Sequence, residues 1–254
     1  MAGSSRRKRL AVPFVLFAIL VAVPLFAWIL RNTIATSLAA SEARARGLAC
    51  DERFSVELSA GLREATVGPT RCVHAGGLVE AIELTAPATI VLDGLEPASI
   101  TAEGVRVTLR DRDLRSGSGW APALGRLHLE QRVAGLIKGL SEMSGLGLPR
   151  TVVARAEVLR GADRLATVDG LELTPGAPTG VAIRRVSFPA VMGAAQLTLG
   201  GVTGTASRGA VHLEGEATAR AGVSILGVST GGDFELDASG LDTASPDLRL
   251  RASF

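Results

Sequence analysis

The sequence predicts a mainly β protein: an N-terminal transmembrane helix, then an exported antiparallel β-meander or curved sheet with one inserted amphipathic helix. Three observations predict it. Leu10 to Leu30 is a run of 21 residues without a charge. From Asp51 onward, apolar residues recur at a period of 2, broken by turn residues. Thirty Gly, 11 Pro, no Tyr and 20% charged residues describe a strand-and-turn chain rather than a helical bundle.

At a rise of 1.5 Å per residue the apolar run spans about 31 Å, the thickness of a hydrocarbon core. Arg6, Arg7, Lys8 and Arg9 precede it and Arg31 closes it, so residues 1–9 should form a cytoplasmic tail and the rest should be exported. Pro13 and Pro24 are tolerable in such a span, and Trp28 stands where an interfacial aromatic would. The competing reading is a cleaved signal peptide. A run of 21 exceeds an h-region, and the small residues Ser37-Leu38-Ala39 lie well beyond it. The expected location is therefore the inner membrane, single-pass, with the C-terminal domain in the periplasm.

The formal charge of +2 is smaller than the +4 of the basic cluster alone. The exported part is thus slightly acidic, and nucleic acid is not an expected partner. Lysine occurs only at Lys8 and Lys138, a usage that reflects codon preference more than chemistry. Cys50 and Cys72 both fall in the exported part. One disulfide is the first reading, and an unpaired or lipid-linked cysteine is the alternative.

Residues 31–48 read as a helical stalk, with Ile34 and Leu38 four apart among alanines and Gly47 as a stop. Residues 49–119 form a first β-rich lobe. Phe54, Val56 and Leu58 alternate with polar neighbours, short runs follow at Cys72–His74, Val79–Leu84 and Thr89–Leu92, and Val105, Val107 and Leu109 alternate with Arg106, Thr108 and Arg110. Residues 120–148 hold a linker and the one clear helix of the exported part, with Leu129, Val133, Leu136, Ile137, Leu140 and Met143 on one face. Its Gly135 and Gly139 form a G-x-x-x-G of the kind that close helix packing or membrane-surface contact would use, although a helix capping one end of the sheet is the favoured reading. Residues 149–254 form a second β-rich lobe, where Val152, Ala154, Ala156 and Val158 should share a face, and strands continue to Phe254. The total is roughly twelve strands without a βαβ rhythm.

Nothing here has the composition of an active site. His74, His128 and His212 are scattered; Ser116-Gly117-Ser118-Gly119 lacks the strand-to-helix context of a nucleophile elbow. Asp111, Arg112 and Asp113 read as a solvated hairpin tip, and Gly200-Gly201-Val202-Thr203-Gly204 lacks the lysine of a phosphate loop. The expectation is a non-enzyme with no metal and no cofactor.

An anchor, a short helix and Gly-turn strands with a Gly-Val-x-Val or Gly-Leu-x-Leu beat make the chain resemble the AsmA-like envelope proteins. The matching stretches are Gly104-Val105-Arg106-Val107, Leu148 to Leu159 (LPRTVVARAEVL), and Leu165 to Leu173 (LATVDGLEL). The resemblance covers Leu10 to Thr174. A second similar plan is that of the small N-type accessory protein of type II secretion. The first resemblance implies a periplasmic sheet curved into a groove that handles phospholipid, with Val105, Val107, Leu109, Val152, Val158, Leu171 and Leu173 facing the acyl chains. Alternation gives the same dry face to a filled sandwich core, so groove and sandwich both stay open. The alternative function is a membrane-anchored scaffold that binds envelope or secretion proteins.

Overall fold

A computed structural model describes residues 28–76, 79–94, 96–110, 130–145, 147–189, 196–221, 228–241 and 247–253. The proposed span Leu10–Leu30 therefore lies outside the described residues except for its last three. Among the described residues no helix is long and apolar enough to cross a membrane.

The chain is mainly β, as its alternation predicts. Helix α1 covers 28–45. Then come β1 (Leu48–Cys50), β2 (Val56–Leu58), β3 (Glu64–Val67), β4 (Thr70–His74), β5 (Val79–Leu84), β6 (Ala88–Asp93) and β7 (Glu96–Leu109). Helix α2 (Glu130–Ser144) precedes β8 (Arg150–Arg160), β9 (Asp163–Thr174), β10 (Thr179–Phe188) and β11 (Gln196–Ser207). The chain closes with β12 (Ala210–Ala221), β13 (Val228–Ser239) and β14 (Asp247–Ser253).

All 14 strands belong to one sheet, whose main path runs β1-β4-β5-β7-β8-β9-β10-β11-β12-β13-β14. The two strand-rich halves are thus joined edge to edge. Their junction departs from a pure antiparallel meander: β7 and β8 pair in parallel from Ser99↔Arg150 to Leu109↔Arg160. A parallel pair needs a crossover of a dozen residues or more, and the segment carrying α2 supplies it. On its other edge β7 is shared, its first half pairing with β6 and its second half with β5.

The buried face of β7–β11 changes parity along one line. On β8 the buried residues are Thr151 and Val153, then Ala156 and Val158; on β10 they are Val181 and Ile183, then Val186 and Phe188. The step of three recurs on β9 between Val168 and Leu171, and on β7 and β11 around Gly104 and Gly200-Gly201. Gly104, Arg155, Asp169, Arg185 and Gly200 lie side by side as ladder partners. Each strand therefore carries its extra outward residue at the same level, and pairing stays in phase across the line. Gly170 and Gly201 supply the positive φ values, +67° and +57°, that such irregular positions favour. The change of parity corrects the expectation for β8: Val152 lies opposite Glu172, on the wet face, and Ala154 is exposed.

That outer face carries charge rungs. Arg106 bridges Glu83 (3.1 Å) and Glu157 (3.5 Å) across β5, β7 and β8, and Arg150 meets Glu172 at 2.8 Å.

The expected stalk is docked to the sheet rather than free. Asn32 Oδ1 accepts the Leu58 N–H at 3.0 Å; Thr36 Oγ1 accepts the Val56 N–H at 2.9 Å and donates to the Val56 carbonyl at 3.3 Å. Four residues of helix rise about 6 Å and two of strand about 7 Å, so an i, i+4 pair can serve an i, i+2 pair. The helix thereby satisfies backbone groups of β2 that would otherwise form an open edge.

Cys50 and Cys72 are cross-strand neighbours on β1 and β4 and form a disulfide. With a sequence separation of 22, replacing both by alanine is expected to cost about 3 kcal/mol in the chain-entropy account. Urea unfolding of oxidised wild type, reduced wild type and the double variant checks this; the last two should coincide.

Candidate binding site beneath helix α2

Helix α2 lies on the dry face because its apolar residues recur at helical spacing. Leu136, Ile137 and Leu140 are buried. Its C-terminal end is pinned by two side chains. The buried Ser141 hydroxyl donates to the Ser207 carbonyl and accepts the Gly209 N–H, both at 2.9 Å, which ties α2 to the β11–β12 turn. The Glu142 carboxylate accepts the Val79 N–H at 3.1 Å, which ties it to the start of β5.

Between α2 and the sheet is an apolar cavity of about 50 Å³. Of the seven residues expected to face lipid, Val105, Val107, Leu109, Val158 and Leu171 line it. Leu173 is buried on the same sheet face without lining the cavity, and Val152 points away as described. Val153, Val168 and Ile183 on the sheet also line it without having been expected to, whereas Ala156 and the helix residues Leu136, Leu140 and Met143 were already read as apolar-face positions. The signal for the sheet residues was present: a spacing of three between apolar residues on successive strands marks a change of face rather than an error of alternation. Gly139 also borders the cavity, and a Cβ placed there meets nothing within 4 Å. Gly139 therefore leaves space open, which goes against the close-packing alternative for the G-x-x-x-G.

A larger pocket of about 460 Å³ opens at the C-terminal end of α2. Met143 lines both cavities, so the pocket lies next to the apolar space beneath the helix. Its apolar wall includes Leu48, Val79, Ile82 and Leu241; its polar wall includes Lys138, Glu142, Arg208 and His74. His74 Nδ1 is engaged by the Gly76 carbonyl, and Arg110 donates to the His74 carbonyl from behind. The Arg110 Nε is buried without a partner.

The other chemistry-bearing residues do not gather here. His128, Ser116–Gly119 and Asp111–Asp113 lie outside the described residues. The Gly200–Gly204 stretch is the bulged part of β11, not a loop. His212 is on the outer face of β12, with Nδ1 2.6 Å from Asp237 Oδ1 on β13; together with Glu235 it offers three ligand atoms within 4.8 Å of one another. The hydrogen bond to Asp237 raises the His212 pKa above its ordinary 6.5, against a smaller opposing effect of burial. The folded chain thus holds this proton more tightly than the unfolded chain. The resulting stabilisation is complete below the ordinary value and fades as pH rises through the folded one. Both side chains are more than two-fifths exposed (42% and 47%), so solvent keeps the contribution small. NMR titration of the imidazole should give a raised pKa that Asp237→Asn returns towards the ordinary range.

No family model, no curated protein and no solved structure matches this chain.

Proposed function

We propose that the chain is a non-catalytic, inner-membrane-anchored periplasmic protein of AsmA-like type that holds the acyl part of a lipid against the dry face of its sheet during envelope biogenesis. One observation carries this reading: the space under α2 is lined almost wholly by apolar atoms and shares Met143 with a neighbouring pocket that opens to solvent. A volume of about 50 Å³ is well short of the ~150 Å³ of a dry cavity that holds benzene, so an acyl chain enters only when α2 shifts outward. Helix α2 is joined to the sheet by its apolar face, through Leu136, Ile137 and Leu140, and by the Ser141 and Glu142 contacts at its C-terminal end, so its displacement is the step that lipid entry requires.

The test is native mass spectrometry of the full chain released from membranes in mild detergent, followed by solvent extraction. Bound lipid near one-to-one, reduced when Gly139→Leu fills the space under α2, supports the reading. A lipid-free mass for both proteins makes the dry face an ordinary core.

A scaffold role is the second reading. Its supporting observation is that β14 ends the sheet path, so its outer edge has no strand partner among the described residues. Such an edge can accept a partner's strand. Photo-crosslinking from Arg249 in cells would identify that partner.

A further inference from the structure

The pocket at the end of α2 differs in character from the cavity beside it. Lys138, Ser141 and Glu142 sit three and four residues apart on α2 and so share one side of the helix. Arg208 comes from the β11–β12 turn, its stem passing close to Gly145 at the end of the helix. Ser141 is saturated by its two backbone contacts, and the Glu142 carboxylate is turned to the Val79 amide. Among the described residues no ion pair engages Lys138 or Arg208. Lys138 is also the single lysine of the chain outside the N-terminal basic cluster. Two cations without an ion-pair partner among the described residues thus border a pocket of ligand size that shares Met143 with an apolar cavity.

We infer that this pocket is the headgroup seat for an anionic amphiphile, with Lys138 and Arg208 binding a phosphate or carboxylate while the tail passes Met143 beneath α2. The inference rests on the lipid-holding function proposed above and names the class of lipid. Arginine can grip such an oxyanion in a bidentate fork, and lysine adds a point charge; neither serves an uncharged head.

The lone lysine allows a direct test. Full-length protein in nonionic detergent is treated with an amine-acylating ester, and peptide mass spectrometry follows modification at Lys138 against Lys8 on the same chain. Hexadecyl phosphate or hexadecanoic acid should slow modification of Lys138 about tenfold, the effect of one charge-assisted contact, and hexadecanol should not. The stronger of the two acids identifies the head as phosphate or carboxylate. Gly139→Leu should remove the protection by blocking the tail. Arg208→Ala, a change on an exposed turn that should leave the melting temperature unaltered, should weaken it by loosening the head.

Equal protection by hexadecanol would overturn the headgroup seat while leaving lipid holding intact. Equal protection by inorganic phosphate alone would make the pocket an anion site without a tail, and would overturn the amphiphile. No protection by any probe overturns the seat. The extraction experiment above then decides lipid holding separately.

Discussion

Replacing Gly204 by alanine is expected to disrupt the middle of the sheet. A Cβ at this position would lie 2.0 Å from the His212 carbonyl oxygen and 2.9 Å from Leu213 Cα. Both belong to the backbone of β12, which pairs with Gly204 directly. No side-chain rotation relieves such a contact, so β11 and β12 must separate or slip. The cost should be about 3 kcal/mol or more, a fall in melting temperature of roughly 6–12 °C for a chain of this size. Gly200 on the same strand is the control, because a Cβ there meets nothing within 4 Å. Gly200→Ala should change stability by less than about 0.5 kcal/mol. Equal losses from both variants in urea unfolding would mean that β11 tolerates no side chain for another reason. The same close approach sets the β11–β12 turn on which Ser141 and Arg208 depend, so the effect should reach the pocket.

The second large effect is expected at Ile137, which is completely buried between α2 and the sheet. Ile137→Ala should cost about 2–5 kcal/mol, because the lost contacts are not recovered by solvent and the space left is only partly refilled. The change also weakens the seat of the helix that roofs the dry face. If lipid enters by displacement of α2, the variant should exchange bound lipid faster than wild type while keeping similar stoichiometry. Loss of stability with unchanged exchange would place lipid entry elsewhere than under α2.

Local chemistry already announced most of this molecule. Alternation at Val105, Val107 and Leu109 placed those residues on a dry face, and each lies on the buried side or lines the cavity. The helical spacing of Leu136, Ile137 and Leu140 marked α2 and its buried face. Cys50 and Cys72 were nameable as a pair from their number and their place in the chain, and cross-strand register joins them.

The rest required strands to meet. Period-2 reading assigns faces only along an uninterrupted ladder, and one extra residue reverses every later assignment. Hence Val152 was placed inside although Val153 is, and Ala156 returns to the dry face three positions later. Whether β7 pairs parallel with β8, and so whether two lobes become one sheet, depends on contacts between residues some 50 positions apart, which no local pattern encodes. The pocket is of the same kind. Lys138 on a helix and Arg208 on a turn look like ordinary solvated charges until the fold sets them around one opening, next to an apolar space.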